Sequence, residues 1–108
     1  MGEAAFGVDF AADALTDLDE LSEYWIGRGE AWRAEKYSRD LVQLARTELS
    51  NPIRARLGRR LGDRVFPHAR EILAFGVYRI IYRIDDATQR VKVLRFWHAH
   101  RRDPSDEA

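Results

Sequence analysis

The stretch that decides the fold runs from Val77 to His98 and reads VYRIIYRIDDATQRVKVLRFWH. Two runs of strand-forming residues, roughly 77–84 and 90–98, flank a polar segment, residues 85–89, that is typical of a turn. The pattern predicts an antiparallel hairpin. If residues whose numbers sum to about 174 pair with each other, one face of the hairpin is apolar and forms the natural core face. That face carries Tyr78, Ile80, Tyr82, Ile84, Leu94 and Phe96.

The opposite face of this predicted hairpin is rich in arginine. Arg79 and Arg83 lie on its first strand, Arg95 and Trp97 lie on its second, and the register places Arg79 opposite Arg95. Like charges directly opposite each other across a strand pair are destabilising. We therefore expect an anion beside them, either a bound ligand or an internal carboxylate such as Glu71 or an acidic residue of a helix. The prediction depends on the register, because a one-residue slip turns every side chain to the other face.

The sequence before the hairpin predicts one strand, two helices, a basic connector and one more strand. Alternating apolar residues at 6–10 indicate the first strand. Apolar residues spaced three and four apart over 11–25 indicate a helix, with its acidic residues, Asp17 among them, mostly on other faces. Gly27-Arg28-Gly29 ends that helix, and a second runs from about Glu30 to Asn51-Pro52. Residues 53–64 read as a basic connector with a short helical turn, and residues 69–74 as a strand.

This order of elements predicts an α+β fold of one domain over residues 1–103, followed by a polar tail at 104–108. We expect the N-terminal strand and an antiparallel helical hairpin to pack on one face of a mostly antiparallel four-stranded sheet. The other face is then solvated or used for binding.

Composition narrows the possible function classes. The chain has 108 residues and no cysteine, which excludes disulfides and thiolate metal sites. It has no apolar run long enough to cross a membrane, and its first residues do not resemble a signal peptide, so we expect a cytoplasmic protein. The net charge of zero conceals a strong asymmetry. Residues 1–50 hold 5 basic and 11 acidic side chains, whereas residues 51–103 hold 13 basic and 5 acidic ones.

The end of the last strand carries the residues best suited to phosphate chemistry. Trp97-His98-Ala99-His100-Arg101-Arg102 combines groups that bind anions with histidines that exchange protons near neutral pH. A solvated basic strand end is the alternative explanation. No metal site and no cofactor are predicted, because the histidines lack further ligands at a diagnostic spacing and no glycine-rich phosphate loop is present.

Several motifs, in their order and spacing, resemble the RelE/ParE superfamily of toxins from type II toxin–antitoxin systems. Ala14-x-x-Asp17-Leu18 with Tyr24 resembles the first-helix pattern of that superfamily, and Leu49-Ser50-Asn51-Pro52 ends the second helix before an arginine-rich connector. The strands add Arg70-Glu71-Ile72, Tyr78-Arg79-Ile80-Ile81-Tyr82-Arg83, and Val93-Leu94-Arg95 followed by His98-x-x-Arg101. The resemblance covers roughly residues 6–103 and implies a RelE-like fold.

The resemblance also implies a function and a partner. Such a toxin is neutralised by a cognate antitoxin protein; one branch cleaves mRNA on the ribosome without a metal, and the other poisons DNA gyrase. For the ribonuclease branch, the candidate catalytic residues are His98 as the proton carrier, Arg101, Arg79 and Arg95 around the scissile phosphate, and Tyr82. Candidate substrate-binding residues are Arg70, Arg83 and Trp97, whose ring could stack on a base.

Four functions therefore stand at this point. The function we favour is ribosome-dependent mRNA cleavage by an endoribonuclease of the mRNA interferase type. The second is inhibition of DNA gyrase without catalysis. The third is a protein that retains only antitoxin binding, and the fourth is an unrelated small α+β domain. After Arg102 the chain carries no aromatic residue, unlike some ribonucleases of the superfamily.

Overall fold

A computed structural model describes residues 4–99. Its elements, in chain order, are β1 (Gly7–Phe10), α1 (Ala12–Gly27), α2 (Ala31–Leu49), α3 (Pro52–Arg56), β2 (Arg59–Arg60), β3 (Ala69–Ala74), β4 (Tyr78–Asp85) and β5 (Arg90–His98). The predicted α+β architecture is confirmed, with strand boundaries close to those expected. Among these residues, no helix combines the length and the hydrophobicity that crossing a bilayer would need.

The sheet contains five strands in the order β1-β5-β4-β3-β2, so the expectation of four is wrong by one. β1 runs parallel to β5, and the other neighbours are antiparallel. The additional strand is β2, which pairs Arg59 with Glu71 and Arg60 with Arg70. Two consecutive arginines have no apolar alternation, so sequence periodicity could not reveal this strand.

The turn between α1 and α2 explains why the helices form a tight hairpin. The N–H of Gly29 donates to the carbonyl of Ile26, and the N–H of Glu30 donates to that of Trp25. These two bonds form a Schellman motif, which requires a left-handed residue after the helix. Gly29 supplies it with a φ of 77°.

One face of the sheet packs against α1 and α2 and forms the main core. Alternate residues of β4 and β5 enter this core, including Ile80, Tyr82, Val91, Val93 and Phe96. The predicted inward face of β4 is therefore confirmed. On the helices, the predicted apolar stripes supply the opposing layer of Ala14, Leu21, Leu41, Ala45 and Leu49.

The other face of the sheet is partly covered by the connector between β2 and β3. Ala69, Ile81 and Trp97 form a second buried cluster, against which Leu61 and Phe66 of the connector pack. The expectation that this face is solvated or free for binding therefore fails at its centre. Leu61, from the stretch 53–64 read as a basic connector, and Phe66, just after that stretch, close over this centre.

The hairpin register differs from the predicted one. Arg79 lies opposite Trp97, and Arg95 lies opposite Ile81. The register then shifts, so that Tyr82 pairs with Val93. An irregularity of this kind places an extra residue in one strand. The predicted juxtaposition of Arg79 and Arg95 is therefore wrong, and Leu94 packs against the second cluster instead of the main core.

Asp17 of α1 is buried, contrary to the prediction that the acidic residues of this helix lie mostly away from its packed face. β1 pairs with β5 only as far as Val93, and the chain then turns away into α1. The edge of β5 beyond Val93 would be left with unpaired backbone groups. Asp17 occupies this edge: its carboxylate accepts from the backbone N–H of Phe96 at 2.9 Å and from Nε and Nη2 of Arg95 at 2.7 and 2.8 Å.

Tyr82 is likewise a structural residue. It is fully buried, and its hydroxyl donates to the carbonyl oxygen of Ala55 in α3. A Cβ atom at position 58 would lie 1.9 Å from that hydroxyl oxygen, so glycine at this position leaves the space that Tyr82 fills. Burial raises the pKa of Tyr82 to about 12.

Replacing Asp17 with Asn tests the role of the buried carboxylate. We expect the free energy of unfolding to fall by about 2–4 kcal/mol, because the charge of the mostly buried Arg95 loses its partner. Guanidinium denaturation followed by tryptophan fluorescence measures this change. Asp19→Asn, an exposed change of the same charge on the same helix, should alter stability by less than about 0.5 kcal/mol. Equal effects of the two variants would contradict the assignment.

The raised pKa of Tyr82 predicts a loss of stability at high pH. The folded state binds the phenolic proton more tightly than the unfolded chain, whose tyrosine pKa is about 10. This contribution is complete below pH 10 and disappears as the pH rises towards 12, by about 2–3 kcal/mol in all. Denaturation curves from pH 9 to 11.5 should show the decline. Tyr82→Phe should make the decline shallower and leave the part due to Tyr78, whose pKa burial also raises. Tyr24→Phe, at an exposed site, should change the decline much less; a decline of equal slope in the Tyr82→Phe variant would refute the prediction.

Candidate functional site

Two of the three arginines predicted to surround the scissile phosphate, Arg79 and Arg95, are engaged by carboxylates. Arg79 on β4 pairs with Glu71 of β3, and Arg95 on β5 pairs with Asp17 of α1. The side chains are only 12% and 19% exposed. These contacts match the alternative that the sequence left open, in which internal carboxylates neutralise the arginine face. The hydrogen bonds that Arg95 donates to Asp17 raise the pKa of Arg95 above its ordinary value.

Glu71 lies between two arginines on the outer face of the sheet. Its Oε2 accepts from Nε of Arg79, and its Oε1 accepts from Nε of Arg59 at 2.7 Å. The Glu71 side chain is mostly buried, whereas that of Arg59 is mostly exposed. One carboxylate thus joins a sheltered arginine to an exposed one, and the trio retains a net positive charge.

The two predicted substrate-binding arginines contact neutral groups. Nη1 of Arg70 donates to the carbonyl of Gly58 at 2.9 Å, and Nε of Arg83 donates to the carbonyl of Pro67 at 2.9 Å. Both side chains are half-buried. A carbonyl oxygen uses a hydrogen bond of the guanidinium without cancelling its charge, so both arginines keep their positive charge.

The two aromatic residues predicted to act on RNA are inaccessible. Trp97 is 1% exposed and packs in the second buried cluster, with the guanidinium of Arg95 5.0 Å from the centre of its ring. Tyr82 is 0% exposed and its hydroxyl is engaged by Ala55. Both rings are thus enclosed by the protein, and the roles predicted for Trp97 and Tyr82 stay predictions. Strand alternation alone could not separate a stacking tryptophan from a core tryptophan.

His98 is the one predicted catalytic residue that the structure leaves both described and exposed. It lies at the end of β5, with its ring in edge contact with that of Tyr78 at 5.3 Å between centroids. Arg101, predicted to act with it, lies outside residues 4–99. Within that range, no group of three or more histidine, aspartate or glutamate residues could hold a metal ion.

A feature that the sequence analysis missed lies along α2. Three adjoining cavities, the largest about 430 Å³, follow this helix beside β3 and the β3–β4 turn. Leu57, Leu73 and Phe75, which line them, are 75%, 62% and 59% exposed. We call this surface the α2 groove. The sequence indicates this groove only through Leu73 on β3 and Phe75 in the β3–β4 turn, which are apolar at positions where an exposed strand face and a turn favour polar residues.

Phe75 stands out because of its backbone conformation. Residues 74–77 form a tight turn closed by a bond from the N–H of Val77 to the carbonyl of Ala74 at 3.2 Å. Phe75 and Gly76 at its centre have φ values of 54° and 70°. Turns of this type favour Asn-Gly, and a bulky aromatic residue is unusual at the first central position. Strain of this kind is typical of positions retained for function.

Solved structures from toxin–antitoxin systems share this fold. Thirteen solved chains match, among them a chain of the chromosomal ParDE toxin–antitoxin system from P. aeruginosa, at 18% identity and a TM-score of 0.70. The match covers 89% of this chain and 98% of that one. A chain of the RelBE2 toxin–antitoxin complex from Mycobacterium tuberculosis has 25% identity and a TM-score of 0.67, with 93% and 98% covered.

A further solved structure, the intact RelBE toxin–antitoxin complex of E. coli, has 22% identity and a TM-score of 0.52, with 90% and 100% covered. No curated protein sequence matches this chain significantly. The sequence model described as the ParE toxin of the type II toxin–antitoxin system parDE matches residues 8–103. The chain therefore belongs to the ParE toxin family of type II toxin–antitoxin systems, within the RelE/ParE superfamily.

Proposed function

We propose that this toxin inhibits DNA gyrase by direct contact and does not cleave mRNA. The observation that carries the proposal is the pairing of Arg79 with Glu71 and of Arg95 with Asp17. In the ribonuclease hypothesis, Arg79 and Arg95 neutralise the charge of the scissile phosphate. Membership of the ParE branch supports the same conclusion, because the resemblance associates that branch with gyrase.

The chemistry of RNA cleavage explains why this pairing matters. Attack of a 2′-hydroxyl on the adjacent phosphate builds up negative charge that open, preorganised donors must stabilise. A guanidinium that already holds a carboxylate in two hydrogen bonds, as Arg95 holds Asp17, offers little to that charge. Tyr82 and Trp97 are buried, so among the described residues His98 would act without these two of the groups that the ribonuclease hypothesis assigns to the site. Inhibition by surface contact requires none of these groups.

Parallel assays of gyrase and ribosomes test the proposal. The purified toxin should inhibit supercoiling of relaxed plasmid by gyrase, because it binds the enzyme, and should leave mRNA on programmed ribosomes uncut. Agarose gels measure the first outcome, and primer extension across the A-site codon measures the second. The cognate antitoxin, added in equimolar amount, should restore supercoiling.

The opposite pattern would overturn the proposal. Cuts in A-site codons with unimpaired gyrase would restore the ribonuclease hypothesis. Inactivity in both assays, with intact binding of the antitoxin, would instead favour a protein that retains antitoxin binding alone. Plasmid relaxation by a type I topoisomerase serves as the control, since a toxin that merely coats DNA would slow that reaction as well.

We further propose that the α2 groove binds the cognate antitoxin. The groove exposes Leu57, Leu73 and Phe75 together, and an apolar surface of this kind on a small protein marks an interaction site. The strained φ of Phe75 supports this assignment independently, because asparagine would fit the turn better and would lack the ring. The structural relatives with TM-scores of 0.70 and 0.67 come from a toxin–antitoxin system and a toxin–antitoxin complex, which supports an antitoxin as the partner.

Replacing Phe75 with Asn separates binding from folding. We expect a Tm equal to or above that of the wild type, because Asn accepts a positive φ at low cost. We also expect the affinity for the antitoxin to fall about tenfold or more, as for the loss of a central aromatic contact. Calorimetric titration measures the affinity. Trp32→Gln, at an equally exposed site on α2 that lines none of the three cavities, should bind as the wild type does; unchanged binding by the Phe75→Asn variant would refute the assignment.

A further inference from the structure

The sheet face turned away from α1 and α2, which we call the outer face, holds most of its arginines in ion pairs. Four arginines on or beside this face are each tied to a carboxylate. Arg59 and Arg79 share Glu71, Arg90 holds Asp9, and Arg95 holds Asp17. A guanidinium that already holds a carboxylate has fewer hydrogen-bond donors left for an external anion.

Arg83 and Lys92 are the exception on this face. They lie directly opposite each other in the β4–β5 register. Both point outward, because their neighbours along each strand, Tyr82 and Val93 among them, enter the main core. Within residues 4–99, neither side chain forms an ion pair with a carboxylate. The hydrogen bond from Nε of Arg83 to the carbonyl of Pro67 leaves its charge uncancelled.

The acidic groups near this pair are already engaged. Asp9 pairs with Lys92 in the β1–β5 register, but two hydrogen bonds from Arg90 hold its carboxylate, at 2.6 and 2.8 Å. Asp85, two residues from Arg83 on the same face of β4, accepts from the backbone N–H groups of Ala87 and Thr88 at 3.0 and 3.4 Å. Two like charges thus face each other across a strand pair, an arrangement that costs stability unless an anion lies between them.

We infer that Arg83 and Lys92 form a phosphate-binding pair that contacts the backbone of duplex DNA. Residues directly opposite across a strand pair have Cβ atoms about 5 Å apart, so both side chains can reach one phosphate or two successive ones. Lys92 is exposed and free to follow the backbone, and Arg83 offers the planar fork that suits a phosphate. The inference rests on the proposed action on gyrase, because a toxin seated on that enzyme meets the duplex DNA that the enzyme holds.

Fluorescence anisotropy with a labelled 30-base-pair duplex and the free toxin tests the pair without gyrase. We expect wild-type toxin to bind with an affinity that falls as salt rises. Lys92→Gln and Arg83→Gln should each weaken binding about fivefold to tenfold at 0.1 M salt and reduce the slope of log K against log salt by about 0.9. Lys92→Arg should restore both values, since it restores the charge.

The matched controls lie on α2 and change the same residue types. Lys36→Gln and Arg39→Gln each remove one charge from an exposed side chain near Asp40. They should bind DNA as the wild type does. If the α2 variants weaken binding as much as the outer-face variants, the attraction belongs to the whole protein and the inference is wrong.

The remaining outcomes separate the phosphate sources and the two proposals. Competition by sub-millimolar inorganic phosphate, or a tenfold preference for single-stranded RNA of equal length, would overturn the assignment to duplex DNA. Gyrase inhibition that is equal for wild type and Lys92→Gln, with unchanged DNA binding, would refute the pair and leave the proposed function intact. DNA binding that depends on the pair, without gyrase inhibition, would refute the proposed function alone.

Discussion

The carboxylate of Asp17 at the open edge of β5 is the interaction on which the rest of the structure depends. β1 leaves that edge after Val93, and a sheet edge inside the protein needs another acceptor for the N–H of Phe96. Asp17 provides it from α1 and also holds Arg95 in two hydrogen bonds. The contact fixes the helical hairpin against the sheet and neutralises the carboxylate of Asp17, whose side chain is even less exposed than that of Glu71. Removing either partner would leave the other charged in a site with little water.

The same contact redefines what the arginine face can do. In the sequence, Arg79 and Arg95 look like two unpaired cations on a strand pair, which is how a phosphate site would look. In the fold, each has a carboxylate partner on another element, Glu71 on β3 and Asp17 on α1. An arginine serves structure and anion recognition with the same planar set of donors. The residue type and its strand position therefore do not distinguish the two roles; the partner does, and the partner comes from a distant part of the chain.

The sequence predicts the elements that local patterns encode and misses the contacts that join distant parts of the chain. Strands β3, β4 and β5 and the long helices α1 and α2 were predictable because their apolar periodicity is local, and the turn at 85–89 because its residue types are specific. The pairing of Arg59–Arg60 with β3 and the register shift between Ile81 and Tyr82 were not, because no local pattern encodes them. For the site, His98 is exposed, and its role as a proton carrier stays a prediction. The burial of Tyr82 and Trp97 depends on α3 and on the connector, whose positions only the tertiary structure reveals.

The charge asymmetry of the sequence takes on a specific meaning in the fold. The acidic first half neutralises the basic second half through ion pairs that join them: Asp9 with Arg90, Asp17 with Arg95 and Glu48 with Arg54. Net charge near zero thus reflects internal pairing as well as composition. Because Arg90 and Arg95 on β5 are held in such pairs, the cations best placed to bind an external anion are those without a carboxylate partner. Arg83 and Lys92 face each other on the outer face with neither joined to a carboxylate in the described chain. A local field at such a pair, and not the total charge, determines where a polyanion can bind.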